Sequence, residues 1–82
     1  MMISAVLVVT RPEHQADMRA ALEDHDWAEV HHVEAESGRL IATIEATDTD
    51  EATARILELR ELPHVILAEM VEHYVEDESG AD

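Results

Sequence analysis

The sequence contains no cysteine, lysine, asparagine or phenylalanine, and these absences exclude several functions. Without cysteine the chain has no disulfide, thiolate metal site, iron–sulfur cluster or thiol nucleophile, which favours an intracellular protein. Glycine occurs only at Gly38 and Gly80, so a glycine-rich phosphate-binding loop is absent too. Because no other nucleophile has a base at a recognisable spacing, we expect a binding protein and not an enzyme.

Basic residues and long apolar runs are also scarce. Five Arg and no Lys face 20 Asp and Glu, which gives 82 residues a formal charge of −15. Such a surface repels nucleic acids and anionic membranes and favours a cationic partner, although adaptation to salt would explain the excess equally well. No run reaches the roughly 18 to 20 apolar residues of a membrane span, and the first residues lack the features of a secretory signal. We therefore predict a cytoplasmic protein without membrane insertion.

Hydrophobic periodicity predicts six elements of secondary structure. In chain order they are a strand at 3–10, a helix from 12 to about 24, strands at 29–36 and 39–46, a helix from 48 to about 62, and a strand at 65–76. The order β-α-β-β-α-β predicts an α+β fold of the ferredoxin-like class, with two helices on one face of a four-stranded antiparallel sheet. Residues 1–76 form this single domain, and the acidic residues 77–82 are expected to be a disordered tail.

Capping signals and apolar stripes mark the two predicted helices. Thr10 is expected to cap the first helix, with Pro12 in its first turn, and Asp48 with Glu51 three residues later forms a capping box for the second. The predicted buried stripes are Met18, Ala21 and Leu22 in the first helix, and Ala52, Ile56, Leu57 and Leu59 in the second.

The dipeptide Ser37-Gly38 predicts a two-residue hairpin turn between the second and third strands, with Glu36 opposite Arg39. Alternation then assigns one set of side chains to the core and the other to the opposite face. The core set is His31, Val33, Ala35, Leu40, Ala42 and Ile44, and the opposite set is Val30, His32, Glu34, Ile41, Thr43 and Glu45.

The first strand is apolar on both sides, which is unusual for a sheet with helices on one face only. Whichever of its alternating sets is buried, at least two aliphatic side chains reach the other face, where Ile41, Leu67 and Val71 should join them. The expected acidic rim is Glu34, Glu45, Glu69 and Glu72. A patch of this kind marks an interaction site, either for an amphipathic cationic peptide or for a second copy of the chain.

The six histidines do not have the spacing of a metal site. His31 and His32 are adjacent in a strand and should point to opposite faces, so they cannot chelate one ion together. His14 and His25 belong to the first helix region, whereas His64 is in a loop and His73 is in the last strand. We expect no metal site and no bound cofactor.

The chain resembles the NapD family, the cytoplasmic maturation chaperones of periplasmic nitrate reductase. The resemblance extends over about residues 3–76 and rests on a set of short segments in a fixed order. These are an apolar first strand ending in Arg11-Pro12-Glu13, then Leu22, Glu29-Val30-His31, Gly38-Arg39-Leu40-Ile41, Glu45-Ala46, Leu62-Pro63-x-Val65 and Val71-x-His73. The chain departs from the family pattern at Asp26-Trp27, His64 and Glu72. Trp27 is expected to close one end of the core or to contact the client.

The resemblance implies a ferredoxin-like fold and a binding function. Proteins of this family bind the twin-arginine (Tat) signal peptide of the catalytic subunit NapA and delay its export until its molybdenum cofactor is inserted, so the cofactor belongs to the client. The predicted signal-peptide-binding residues are Leu7, Val9, Ile41, Thr43, Glu45, Leu67, Glu69, Val71 and His73. We expect a monomer or a weak homodimer.

Two other functions remain open from the sequence. A ligand-sensing βαββαβ domain would bind a small molecule at a dimer interface, but such domains usually have glycine between the first strand and helix, where this chain has Thr10-Arg11-Pro12. A dimerisation module would explain the apolar face but not its acidic rim.

Overall fold

The computed structural model describes residues 1–75, and for residues 72–75 it describes the course of the backbone only. The elements are β1 (Met2–Val9), a 3-10 turn (Pro12–His14), α1 (Gln15–Glu23), β2 (Ala28–Glu34), β3 (Arg39–Ala46), α2 (Thr49–Arg60) and β4 (Leu67–Val75). The strands form one antiparallel sheet in the order β2-β3-β1-β4. The predicted α+β ferredoxin-like fold is confirmed, whereas the expected tail at 77–82 lies outside the described residues.

The core lies between the helices and one face of the sheet. In β1, Val6 and Val8 are fully buried and join the residues of the helices and β3. The main members from the other elements are Met18, Leu22, Leu40, Ala42, Ile44, Ile56, Leu59 and Ala68. The opposite face of the sheet, here called the open face, carries Ile3, Ala5, Leu7 and Val9 from β1 and Ile41, Thr43 and Glu45 from β3.

The start of α2 follows its sequence signal. The Asp48 carboxylate accepts a hydrogen bond from the backbone N–H of Glu51 at 2.8 Å, as predicted for the N-cap. Glu51 reaches the backbone N–H of Thr47 at 2.7 Å instead of that of Asp48. Hydrogen bonds from the backbone N–H and hydroxyl of Thr47, together with the Arg55 guanidinium, lower the pKa of the Glu51 carboxyl below its usual value. The prediction that Asp48 caps α2 is thus confirmed. The Glu51 side chain, however, accepts its hydrogen bond from Thr47 and not from Asp48.

The predicted stripe of α2 is correct at three of its four positions. Ala52, Ile56 and Leu59 are buried against the sheet. Leu57 is 49% exposed, so its assignment to the stripe was wrong. The helix packs through a narrow stripe because it covers the sheet from one side, and Leu57 lies outside that contact.

Thr10 does not cap the first helix. Its hydroxyl donates to the backbone carbonyl of His64 at 2.5 Å, and its N–H donates to the carbonyl of Gly38 at 2.9 Å. Both groups are therefore used to join the end of β1 to two other loops. Without a side-chain cap, the chain makes the 3-10 turn at Pro12–His14 before α1 begins.

Gln15 is a buried residue of α1 that the sequence interpretation missed. Its side-chain amide donates to the backbone carbonyls of Glu34 at 3.0 Å and Arg39 at 3.1 Å, across the end of the hairpin. The available signal was the helical spacing of Gln15 with Met18 and Leu22, which places all three on one face. The prediction assigned only apolar residues to the buried face of the helix, so it left out the polar Gln15. Ala21, which was predicted there, is only half-buried.

The hairpin register differs from the prediction, because Glu34, and not Glu36, is opposite Arg39. Residues 35–38 form a four-residue loop in place of a two-residue turn. Gly38 has φ +74°, and a Cβ built on it would lie 1.9 Å from the backbone oxygen of Thr10. The close approach of Gly38 to Thr10, the residue after β1, fixes the conformation of the loop. A rule based on the turn sequence alone cannot detect this approach.

A bulge in β2 reverses two further assignments. Val30 is opposite Ala42 and His32 is opposite Ile41, so His31 is the extra residue. Val30 packs against the core, although it was predicted on the open face. His31 was predicted in the core, but it is exposed, and its Nε2 lies 2.7 Å from the Thr43 hydroxyl on the open face.

The last strand begins later than predicted, at Leu67. Alternation along residues 65–76 predicts Ile66, Ala68 and Met70 on one face, opposite Val65, Leu67, Glu69, Val71 and His73. Ala68 is buried, but Ile66 precedes the strand and is 64% exposed. A second bulge follows, because Val6 is opposite Met70 and Ala5 is opposite Glu72. The strict alternation predicted for this strand is therefore interrupted at Val71. Two other strands end earlier than predicted. β1 ends at Val9 and not at residue 10, and β2 ends at Glu34 and not at residue 36.

Replacing Gly38 with alanine should destabilise the fold by at least about 2 kcal/mol. A left-handed backbone conformation costs an alanine about 1–2 kcal/mol, and the new Cβ must also displace the backbone of Thr10. Urea unfolding followed by circular dichroism measures the change. Glu36→Ala, at an exposed position of the same loop, is the control and should stay within about 0.5 kcal/mol of the parent. Equal stability of the two variants would contradict this account.

Replacing Asp48 with alanine should lower the free energy of unfolding by about 0.5–2 kcal/mol, since the N-cap acceptor for Glu51 is removed. Asp48→Asn keeps an acceptor oxygen at the same position and should lose much less. The same unfolding assay compares them. A loss in the asparagine variant as large as in the alanine variant would show that the carboxylate charge matters more than the cap.

Candidate functional site

The open face is organised in rows of residues that are opposite one another on neighbouring strands. Leu7 lies at the centre, with half-buried Ile41 beside it on β3. The two rows through the middle of the face are Ile41–Leu7–Glu69 and Arg39–Val9–Leu67. Residues opposite one another in a sheet share a face, so Leu67 and Glu69 belong to the open face too.

The centre of the open face is apolar and is not covered by either helix. Ile3, Leu7 and Val9 are half-buried, and Leu67 is 39% exposed. A shallow hollow lies next to the centre, and its lining residues are Leu7, His32, Glu34, Arg39, Leu40 and Ile41. An apolar side chain of a partner could occupy it.

Carboxylates without partners flank this apolar centre. Within residues 1–71, the side chains of Glu45 and Glu69 make no hydrogen bond or ion pair. Glu34 accepts a hydrogen bond from the Ser37 hydroxyl at 2.9 Å. Glu29 lies 3.9 Å from the His31 ring. The negative charges of Glu45 and Glu69 are therefore available to a cationic partner.

Arg39 gives the open face a charge gradient that the sequence interpretation did not anticipate. It was predicted opposite Glu36, but it lies opposite Glu34 at the hairpin end of β3 and lines the hollow. Glu45 lies six residues further along the same strand, roughly 20 Å away. Arg39 thus places a positive charge beside Glu34 at the hairpin end, whereas Glu45 places a negative charge at the other end.

Seven of the nine predicted site residues lie on the open face. They are Leu7, Val9, Ile41, Thr43, Glu45, Leu67 and Glu69. Val71 is 53% exposed at the bulge and has no opposite residue in β1. The backbone of His73 is opposite Ser4, and its side chain lies outside the described residues. His31 and His32 both border the open face, and the bulge that places them there has no signal in the sequence.

Trp27 closes one end of the core beside this face. Its ring packs against the core, with the Arg55 guanidinium 5.1 Å from the ring centroid and the His25 ring at 4.7 Å. The backbone carbonyl of Trp27 accepts a hydrogen bond from the N–H of Glu45 at 2.9 Å. These contacts agree with the first of the two roles expected for Trp27, which is to close one end of the core.

Over the residues that the structure describes, neither helix has the length and apolar character needed to cross a bilayer.

Comparison with known proteins identifies the family of this fold. The chain matches the family of NapD proteins over residues 1–77. It is similar to the solution structure of the E. coli Tat proofreading chaperone protein NapD, with 27% sequence identity and a TM-score of 0.80, over 92% of this chain and 79% of that one. No curated protein sequence matches. Because the match extends over nearly the whole chain, this protein belongs to the NapD family.

Proposed function

We propose that the chain is a cytoplasmic chaperone that binds the twin-arginine signal peptide of the catalytic subunit NapA of a periplasmic nitrate reductase. Binding keeps the signal peptide from the Tat translocase until the molybdenum cofactor has been inserted into that subunit. The chain acts by binding alone and not as an enzyme. Membership of the NapD family and similarity to the E. coli Tat proofreading chaperone support this function.

The observation that carries the proposal is an apolar strip that no other part of residues 1–71 covers, next to two carboxylates that have no partner within the same residues. A signal peptide combines an apolar stretch with arginines, and as a helix it can lay its apolar side along Leu7, Val9 and Ile41. Burial of about 300–400 Å² of apolar surface contributes about 8–10 kcal/mol gross. Ordering the peptide and immobilising it offset a large part of that gain.

The charges on the open face determine where the arginines bind. Glu45 and Glu69 each accept charge-assisted hydrogen bonds from a guanidinium, which contribute roughly 1.5–3 kcal/mol where they are partly desolvated and less where solvent screens them. Arg39 repels a second cation at the hairpin end. The arginine pair therefore lies away from Arg39, with Glu45 beyond Thr43 on one side and Glu69 across β1 on the other, and the apolar part of the peptide extends over the hollow.

Calorimetric titration with a synthetic NapA signal peptide should show one peptide bound per chain. Changing the peptide's Arg-Arg pair to Gln-Gln should weaken binding at least about tenfold, because it removes hydrogen bonds to Glu45 and Glu69 that contribute more than 1.4 kcal/mol together. Raising the salt concentration should reduce the affinity of the native peptide more than that of the Gln-Gln peptide. Absence of binding by the native peptide would refute the proposed function for this chain.

Ile41→Asp and Leu67→Asp should each weaken peptide binding at least about tenfold, because each places a charge in the apolar strip. Leu57→Asp is the matched control, since Leu57 is 49% exposed on α2, away from the open face. All three variants should keep the circular dichroism spectrum of the parent. Unchanged affinity for both open-face variants would mean that the peptide binds elsewhere.

The same variants distinguish peptide binding from self-association. If the open face is a dimer interface, sedimentation should show a dimer that Ile41→Asp dissociates and Leu57→Asp does not, with no peptide bound to the parent. A parent that is monomeric at the concentrations of the titration and binds one peptide supports the chaperone function.

A further inference from the structure

Three side chains with metal-binding groups meet beside the end of β1, outside the open face. His14 belongs to the connection between β1 and α1, Asp17 to the first turn of α1, and His64 to the connection between α2 and β4. One ligand atom from each lies within 4.8 Å of the others. The sequence interpretation treated His14 and His64 as belonging to separate regions, and the fold brings them together.

The position of His64 is fixed by an unfavourable backbone conformation. Its φ is +72°, in the left-handed region that residues with a Cβ rarely adopt. The Thr10 hydroxyl donates to its carbonyl at 2.5 Å, and the N–H of Ile66 donates to the carbonyl of Val9 at 2.8 Å. These bonds from β1 hold the loop, so the His64 ring is directed at the start of α1. Strain of this kind is concentrated at functional positions.

His14 and Asp17 are presented together by the start of α1. The N–H of His14 donates to the carbonyl of Arg11 at 2.9 Å, which closes the 3-10 turn. Asp17 follows three residues later and lies on the same side of the helix. The rings of His14 and His64 are stacked, with centroids 4.0 Å apart and planes inclined by 8°.

The ligand atoms of this cluster are not used by other contacts in the part of the chain whose side chains are described. There, no side-chain nitrogen or oxygen of His14, Asp17 or His64 makes a hydrogen bond or an ion pair. By contrast, His25 contacts Glu58 at 3.2 Å and His31 contacts Thr43 at 2.7 Å. The cluster therefore has three free ligand atoms at a surface that an ion can reach, since Asp17 and His64 are exposed.

We infer that His14, Asp17 and His64 bind a divalent transition-metal ion of the Zn²⁺ class. Two imidazole nitrogens and one carboxylate oxygen form a common ligand set for such ions, with water completing the coordination. Bond lengths of about 2.0–2.1 Å require ligand atoms about 3.3 Å apart in a tetrahedral site. An imidazole lone pair lies in the plane of its ring, and the two ring planes are nearly parallel. The two imidazoles must therefore turn about their side-chain bonds as the ion enters.

The surrounding charge favours a cation on balance. The chain has a formal charge of −15, which raises the local concentration of divalent ions. The start of α1 opposes a cation weakly through the helix dipole, and the Asp17 carboxylate offsets this effect. A bound ion links the start of α1 to the loop before β4, so it should stabilise the folded chain by mass action.

Zinc titration of the full chain in a buffer that does not chelate metals tests this site. Calorimetry should give one Zn²⁺ per chain, and saturating Zn²⁺ should raise the thermal unfolding midpoint. His14→Ala and His64→Gly should each reduce Zn²⁺ affinity at least about tenfold, because even the outer-shell partners of metal ligands are worth 10- to 100-fold. His32→Ala removes an exposed imidazole elsewhere and should leave the affinity unchanged.

The glycine variant keeps the test independent of folding. Glycine adopts the φ of position 64 without strain, so His64→Gly should unfold no earlier than the parent in the absence of metal, while its response to Zn²⁺ is lost. Zinc binding that is equal in all four proteins, or that Mg²⁺ reproduces with the same affinity, would show general attraction to the acidic surface and overturn the site. Absence of any zinc binding would overturn it too.

Discussion

The alternation of side chains along β1 determines both the core and the open face, because β1 has a neighbouring strand on each side. Val6 and Val8 are fully buried under the helices, and the intervening Leu7 and the following Val9 reach the opposite face. In a fold with two layers, the described helices leave that face bare, so the aliphatic residues there expose apolar surface. The core does not depend on Leu7 and Val9, since polar residues at these two positions would leave Val6 and Val8 buried as before.

Charge determines which partner can use this surface. An apolar strip alone would accept another copy of the chain as readily as a peptide, but association of two open faces brings the carboxylates of Glu45 and Glu69 close to those of the second copy. Each copy also has a formal charge of −15, so repulsion opposes self-association. A cationic amphiphile meets the same surface with attraction. The acidic residues therefore act as much against the wrong partner as in favour of the right one.

The sequence predicted what local signals determine and failed where distant contacts decide. Asp48 caps α2 as expected because its acceptor and the recipient N–H are three residues apart, and the alternation of β3 was read correctly for the same reason. The hairpin register depends on the contact of Gly38 with Thr10, which are far apart in the sequence. The two bulges likewise depend on pairing across the sheet. The centre of the candidate site on β1 and β3 was therefore predictable, and its border at His31 was not.

One end of the sheet is tied together in a way that makes the open face a preformed surface. Thr10 bonds to Gly38 and to the carbonyl of His64, and Gln15 bonds to both strands of the hairpin. The hairpin loop and the loop before β4 are thus both held to the end of β1, which restricts movement of the strands that carry the open face. If the chain binds a signal peptide as proposed, the entropy cost of binding falls on the peptide, which must become ordered on a preformed surface. That cost would offset much of the gain from apolar burial and so permit later release of the peptide.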